Sequence, residues 1–246
     1  EAMYNSYETA LNILYYEKIL PDGTYLDSND YGMDGNLFAV FDIDGDGLDE
    51  LIIEYNNTYL ADMIELIYGY DDESGELYEE FMRFPNLTYY NNGIIKAYFS
   101  HNQGLAGRFW PYYLYEYDPM QDRYECVAMA DAWDGSAHSE DYSGKPFPVE
   151  IDVSGEGIVY YLSGADEKTL GQPVDRGEYE RWLDSYIGEA KELTVPKVSL
   201  TPENFAEGAR GTAGLLLKNN SSSERNFYST LTSMSKAEVE CFALEV

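Results

Sequence analysis

The stretch Phe41-Asp42-Ile43-Asp44-Gly45-Asp46-Gly47-Leu48-Asp49-Glu50-Leu51-Ile52-Ile53 decides how the rest of the chain is read. Three aspartates at alternate positions, with Gly45 and Gly47 tolerating a tight turn, point carboxylates inward. Calcium takes roughly six to eight oxygen ligands. Asp42, Asp44, Asp46, the Leu48 backbone carbonyl and Glu50 form a donor set of that kind. A helix-flanked sensor loop would carry a bidentate Glu at its twelfth position, which here is Ile53. The flanks Phe38-Ala39-Val40-Phe41 and Leu51-Ile52-Ile53 are instead short apolar runs, as in buried strands. The expectation is a structural calcium ion held between two strands.

Outward from this loop, short apolar or alternating segments are separated by turn residues. Met63 to Tyr70 and Leu77 to Phe84 flank Asp71-Asp72-Glu73-Ser74-Gly75, and Leu87 to Tyr90 and Ile94 to Phe99 flank Asn91-Asn92-Gly93. Asn-Gly is a strong hairpin signal, because both residues accept the positive φ of the tightest hairpin turns. Tyr112 to Tyr117 and Tyr124 to Trp133 flank Asp118 to Asp122, and Pro148 to Val153 and Ile158 to Leu162 enclose Ser154-Gly155-Glu156-Gly157. The two hairpins around Tyr68-Gly69-Tyr70-Asp71 and Tyr115-Glu116-Tyr117-Asp118 resemble each other, which a meandering antiparallel sheet explains without a propeller. Tyr4, Tyr7, Leu11 and Leu14 recur at helical spacing before Pro21-Asp22-Gly23. Asp175 and Glu178 have capping-box spacing ahead of Tyr179, Trp182, Leu183, Tyr186 and Ile187, and Thr201-Pro202 opens a shorter helix.

The fold class expected is therefore α+β, mainly β: an antiparallel meander of hairpins with an N-terminal helix and a helical C-terminal region. Residues 1–163 form the N-terminal helix and the calcium-stapled β domain, and 164–217 form a helical extension packed on it. Residues 218–246 hold a polar linker and a further helix, opened by Ser235 and Glu238, that runs off the end of the chain. That pattern suits a fragment of a longer protein or a helix docked back on the domain.

Composition narrows the function classes. Of 246 residues, 46 are acidic and 15 basic, a formal charge of −31 that repels phosphate backbones and anionic lipid surfaces, so nucleic acid is excluded as a partner. The 25 tyrosines suit half-buried sheet positions where the ring packs and the hydroxyl stays wet. No apolar run reaches the roughly 18 residues of a membrane span, and no signal-peptide pattern is present, as in a mature form. Cys126 and Cys241 fit buried thiols or one long-range bridge rather than a disulfide framework. Calcium loops without sensor features stay filled where calcium is millimolar, outside the cytosol.

The residues Asp42-Ile43-Asp44-Gly45-Asp46-Gly47-Leu48-Asp49-Glu50-Leu51-Ile52 resemble the calcium loop of FG-GAP and VCBS-type repeats, an Asp-rich nonapeptide between strands of extracellular bacterial and integrin-like proteins. Glu50 stands where those repeats more often have Asp. The wider pattern of N-terminal helix, Asp-Gly loop and tyrosine-rich hairpins is similar to secreted lipoproteins of Gram-positive bacteria. The resemblance implies calcium binding and a secreted or cell-surface location with a lipid anchor in the full-length form. It does not imply a propeller, since one good loop is present.

Other candidates are weaker. Asp30, Asp34 or Asn36 could add a ligand to the loop, although solvated turns account for each. Asp152 to Tyr160 has the loop spacing but ends on Tyr160, so it reads as a metal-free turn. His101, Asn102, Gln103, Arg108 and Trp110 combine imidazole, amide, guanidinium and indole groups, the chemistry of a glycan or peptide contact. A plain connection is the competing reading of that segment, as it is for Trp133-Asp134-Gly135 with His138. The sequence holds no Gly-x-Ser-x-Gly elbow, phosphate loop or His-Glu-x-x-His motif. The expectation is a non-catalytic extracytoplasmic binding or surface domain. A polysaccharide-directed hydrolase with carboxylates in a cleft and an adhesion or assembly subunit are the alternatives.

Overall fold

A computed structural model describes residues 1–26, 32–101, 104–164 and 171–215. The chain begins with helix α1 (Ala2–Glu17), whose Tyr7, Leu11 and Leu14 face is completely buried. The helix ends on Lys18, which adopts a left-handed φ of 58° and donates its backbone N–H to the Leu14 carbonyl. Strands β1 (Leu37–Phe41), β2 (Glu50–Tyr55), β3 (Ile64–Tyr70) and β4 (Leu77–Arg83) follow as an antiparallel meander. A second meander contains β5 (Leu87–Tyr89), β6 (Ile94–Tyr98), β7 (Tyr112–Asp118), β8 (Arg123–Asp134) and β9 (Ile158–Ser163). Helix α2 (Arg176–Ile187), the two-residue strand β10 (Val198–Ser199) and helix α3 (Pro202–Gly208) complete the described elements. β10 returns to pair with β1, so the sheets are β10-β1-β2-β3-β4 and β5-β6-β7-β8-β9.

Strand alternation sends each sheet's residues to two faces, and both faces of both sheets are covered. On the outer face of the first sheet, Phe38, Val40, Leu51, Ile53, Leu66 and Tyr68 pack against α1 and against Phe205 of α3. Between the sheets, Ala39, Ile52, Ile67 and Phe81 meet Tyr89, Ile95, Ala97, Tyr115 and Tyr124. On the outer face of the second sheet, Ile94, Tyr112, Leu114 and Ala128 receive Tyr179, Trp182 and Tyr186 of α2. The result is four layers, helix, sheet, sheet and helix, mainly β, as the hairpin series predicts.

One expected strand is corrected. Pro148 to Val153 is a succession of turns, with Val149 73 % and Val153 83 % exposed, and β8 pairs directly with β9. Proline removes a ladder donor, and Glu150 and Asp152 between the valines leave no partner face to bury them against. Asp175 and Thr201 stand at the N-caps of α2 and α3, but neither side chain makes the cap bond; the Asp175 carboxylate instead accepts the Ser154 N–H at 3.0 Å. Asp152 accepts the Glu156 and Gly157 N–H groups, as expected for a turn. Cys126 lies half-buried in β8. Cys241, the linker and the helix from Ser235 lie outside the described residues, as does the whole segment 218–246 that they occupy. Among the described residues no helix is long and apolar enough to cross a membrane.

Candidate metal centre

The loop 42–49 joins β1 to β2 directly beyond the Phe41–Glu50 pair. Gly45 and Gly47 take φ values of 84° and 94°, a region that side chains disfavour, and this lets the chain coil tightly. Each turn is locked by an acidic side chain. Asp42 Oδ1 accepts the Gly45 N–H at 2.8 Å, Asp44 Oδ1 the Asp46 N–H at 2.9 Å, and Asp46 Oδ1 the Leu48 N–H at 2.7 Å. Glu50 Oε2 accepts the Ile43 N–H at 2.8 Å across the neck of the loop. One oxygen of Asp42, of Asp44 and of Glu50 lies within 4.8 Å of the other two. Oxygens on opposite sides of a calcium ion are about 5 Å apart, so the three fit around one cation. Asp46 is outside this trio, and the Leu48 side chain is half exposed.

Helix α1 anchors the loop from behind. The Tyr4 hydroxyl donates to Asp49 Oδ2 at 3.0 Å and the Tyr7 hydroxyl to the Asp49 carbonyl at 2.6 Å. Helical spacing marks these tyrosines as packing residues, and their hydroxyls have a second role that spacing does not show.

The centre extends further than the loop. Between β3 and β4 the register shifts at Ile67/Tyr68: Phe81 faces Ile67 and Glu79 faces Tyr68, leaving Glu80 as the extra residue of a bulge. The bulge points Glu80 inward, and the absence of a side chain at Gly69 makes the room that the Glu80 carboxylate and the Tyr78 hydroxyl fill. Gly69 follows Tyr68, the partner of Leu51, so this space adjoins Glu50. From the facing sheet, the β7–β8 hairpin brings Asp122, which accepts hydrogen bonds from both Tyr78 and Tyr117. Glu80, Asp122 and the three tyrosines Tyr78, Tyr117 and Tyr124 are absent from the set that sequence reasoning assembles. The signals available were a glycine inside the aromatic strand Ile64–Tyr70 and an acidic pair inside β4.

Burial dominates the electrostatics. Glu50 is 3 % exposed, and desolvation pushes its carboxyl up to about 10, helped by Asp44, Glu80 and Asp42 and opposed by the Ile43 N–H. Desolvation likewise raises Glu80 to about 9, with Asp122, Asp44 and Asp46 adding to the shift, and Asp44 to about 6. A divalent cation here would neutralise charges that otherwise repel one another in a poorly solvated interior. Asn36 takes no part: at the other end of β1, its Oδ1 accepts the Asn56 and Asn57 N–H groups at 2.8 and 2.9 Å. Asp30 lies outside the described residues.

The other predicted cluster is dispersed. Asn102 and Gln103 lie outside the described residues. Arg108 turns away to a bidentate pair with Asp134, 2.7 Å at the shortest, and to the Glu156 carbonyl at 3.1 Å. The Asp134 side chain is fully buried and Arg108 holds it well below the usual carboxylate range. Trp110, 45 % exposed, donates its indole N–H to the Phe99 carbonyl at 2.7 Å. His101 shares a groove of about 220 Å³ with Arg83, Tyr98, Phe99 and Tyr113. Trp133 is buried against Phe147 and donates to the His138 carbonyl, so this pair braces a turn. No protein-family model, curated protein or solved structure matches the chain.

Proposed function

We propose that the chain is an extracytoplasmic calcium-binding domain, without catalysis of its own, in which the ion is structural. The observation that carries this reading is the convergence of Asp42, Asp44 and Glu50 oxygens within 4.8 Å at the neck of a β1–β2 loop. Each of these carboxylates also fixes a backbone N–H of the loop, so filling the site would stiffen the junction of β1, β2 and α1. The extracytoplasmic assignment follows from calcium supply: a site of this type is filled permanently where calcium is millimolar. A lipid-anchored surface protein is the form of that assignment favoured by the similarity of the chain's organisation to secreted lipoproteins. Calorimetric titration of metal-stripped protein with calcium is expected to give saturable binding that the Asp42→Asn, Asp44→Asn double variant loses. Failure of the parent protein to bind calcium at millimolar concentration would refute the reading.

A second activity is favoured by one observation: the indole of Trp110 is exposed yet fixed by its bond to Phe99, as in a stacking platform for a glycan or peptide. Trp110→Ala is expected to abolish such binding while changing stability by less than about 1 kcal/mol, because the ring is half exposed. Unchanged affinity in that variant would remove the platform.

A further inference from the structure

We propose that the cleft between the end of β4 and the strands β6 and β7 binds a carboxylate carried on an apolar body. Such a group is offered by the C-terminus of a peptide ending in an aromatic or large apolar residue, or by a free organic acid of that kind. The Arg83 guanidinium would hold the carboxylate. The proposal lies outside the calcium loop and does not use the Trp110 ring.

Arg83 stands apart from the other arginines by its partners. Acidic residues outnumber basic ones 46 to 15, and among the described residues Arg108, Arg123, Arg176 and Arg210 are each paired with a carboxylate. Arg83 forms no ion pair with any described residue. Uncharged groups fix it instead. Its Cζ lies 4.7 Å from the centre of the Tyr115 ring and 5.6 Å from that of Phe81. Its Nε donates to the Tyr115 hydroxyl at 2.5 Å and its Nη1 to the Met82 carbonyl at 2.9 Å. A side chain already held in place loses little freedom when a ligand arrives. Neither bond uses Nη2, so both of its N–H groups remain for a carboxylate, and a bond of that kind is roughly twice as strong as one between neutral groups.

The walls of the cleft select what the carboxylate is attached to. Phe84, Ala97, Phe99 and Tyr113 line it beside Arg83, with His101 also contributing. The Phe99 and Tyr113 rings stack with centres 4.8 Å apart and planes 24° apart, and the Phe99 carbonyl is bonded to the Trp110 indole, so this apolar wall is firm. The volume is about 220 Å³, less than the roughly 300 Å³ at which pockets for drug-sized ligands begin. That is room for one apolar group beside its carboxylate, and too little for an oligosaccharide. The net charge of −31 opposes anions in general, but at physiological salt charges beyond about 8 Å are largely screened. For a single carboxylate the local guanidinium decides.

The test is calorimetric titration of the full chain with N-acetyl-leucyl-phenylalanine, with the same dipeptide as its C-terminal amide, and with phenylpropionate. The two acids are expected to bind, and the amide to bind at least about tenfold more weakly than the dipeptide acid, the effect of losing one charge-assisted bond. Arg83→Met keeps an apolar stem over the two rings and removes the charge; it should bind acid and amide alike. Trp110→Ala should leave the affinity for the acids unchanged. Phenylpropionate binding as tightly as the dipeptide acid would assign the cleft to free organic acids, and weaker binding would assign it to peptide C-termini. Equal affinity of the parent chain for acid and amide, or no binding of either acid at millimolar concentration, overturns the proposal. So does loss of binding in Trp110→Ala with Arg83→Met unaffected. Because acid and amide are compared on the parent chain, failure of Arg83→Met to fold does not rescue it.

Discussion

At the Glu54 end of the layer between the sheets, Lys197 reaches in to pair with Glu54 and Glu65, and Tyr89 of the second sheet donates to Glu65 at 2.6 Å. At the Glu50 end, Glu80 and Asp44 are met by the Tyr78 and Tyr117 hydroxyls, and Glu50, bonded to the Ile43 N–H, lies within the field of both carboxylates. Both ends bury acidic side chains of the first sheet, and both carry tyrosines across from the second. The difference is the source of positive charge. One end receives it covalently, from a lysine 132 residues along the chain from Glu65. The other has no Lys or Arg ion pair among the described residues, so on the proposed reading its positive charge would come from a bound cation, and its cohesion would be conditional where the first is constant.

The largest expected effect tests the constant end. Lys197→Met leaves Glu65, fully buried, and Glu54, largely buried, without a counter-charge. Breaking a buried pair by removing one partner typically costs about 3–5 kcal/mol, and urea unfolding in calcium should show a loss of this order. A loss under about 1 kcal/mol, the range of exposed pairs, would erase the distinction between the ends.

Chelation is the corresponding experiment at the conditional end. A ligand present at a hundredfold its Kd stabilises by about 2.7 kcal/mol. For a chain of this size that is about 5–10 °C in Tm. Hydrogen exchange should then rise around residues 42–50 and 78–81 and stay unchanged around 54 and 65. Uniform change across both ends would show that the two are one cooperative unit.

Proton linkage should separate loaded from stripped protein. Burial lifts Glu50 from an ordinary 4.5 to about 10, and Glu80 to about 9, in the ion-free chain. The folded chain then holds protons that the unfolded chain has released. This stability is complete below pH 4.5 and drains as pH rises toward the folded values. Between about pH 5 and about pH 9 the Tm of stripped protein should fall, while calcium-saturated protein should not share the fall, since binding needs the carboxylates deprotonated. A stripped protein that gains stability over that window would contradict the burial of both groups.

The smallest effects come from single hydroxyls. Tyr89→Phe removes a bond to fully buried Glu65 and should cost about 1–3 kcal/mol. Tyr117→Phe removes one from Asp122 at the rim, and should cost about 1 kcal/mol. Equal losses would mean that the two ends are equally dry.

What the sequence made legible was local. The β1–β2 loop, the Asn92-Gly93 hairpin and the helix from Asp175 follow from turn chemistry and periodicity that act over a few residues. Long-range partnerships were not legible. Nothing near Lys197 marks it as the counter-ion of Glu65, and a bulge that turns Glu80 inward depends on the pairing of β3 with β4. Arg108, grouped by spacing with Trp110 as a contact residue, is committed to Asp134 on another strand. The triad of Asp42, Asp44 and Glu50 lies within nine residues, which is why it alone of the centre was visible beforehand. Glu80, Asp122 and Tyr124 come from three other places in the chain.

The return of β10 to β1 has a consequence for how the molecule is made. β1 is the second strand of its sheet by position, and its outer neighbour arrives only with Val198 and Ser199, fixed further by the Leu200 N–H on the Asn36 carbonyl at 2.9 Å. During synthesis the whole second sheet is translated while the edge of β1 stands open. An open edge is a template for strand addition by other chains, and contacts this far apart in sequence form late. The first sheet is thus finished only by β10, after the whole second sheet, and chains truncated before Val198 should aggregate through β1 although every residue of the loop 42–49 is in place.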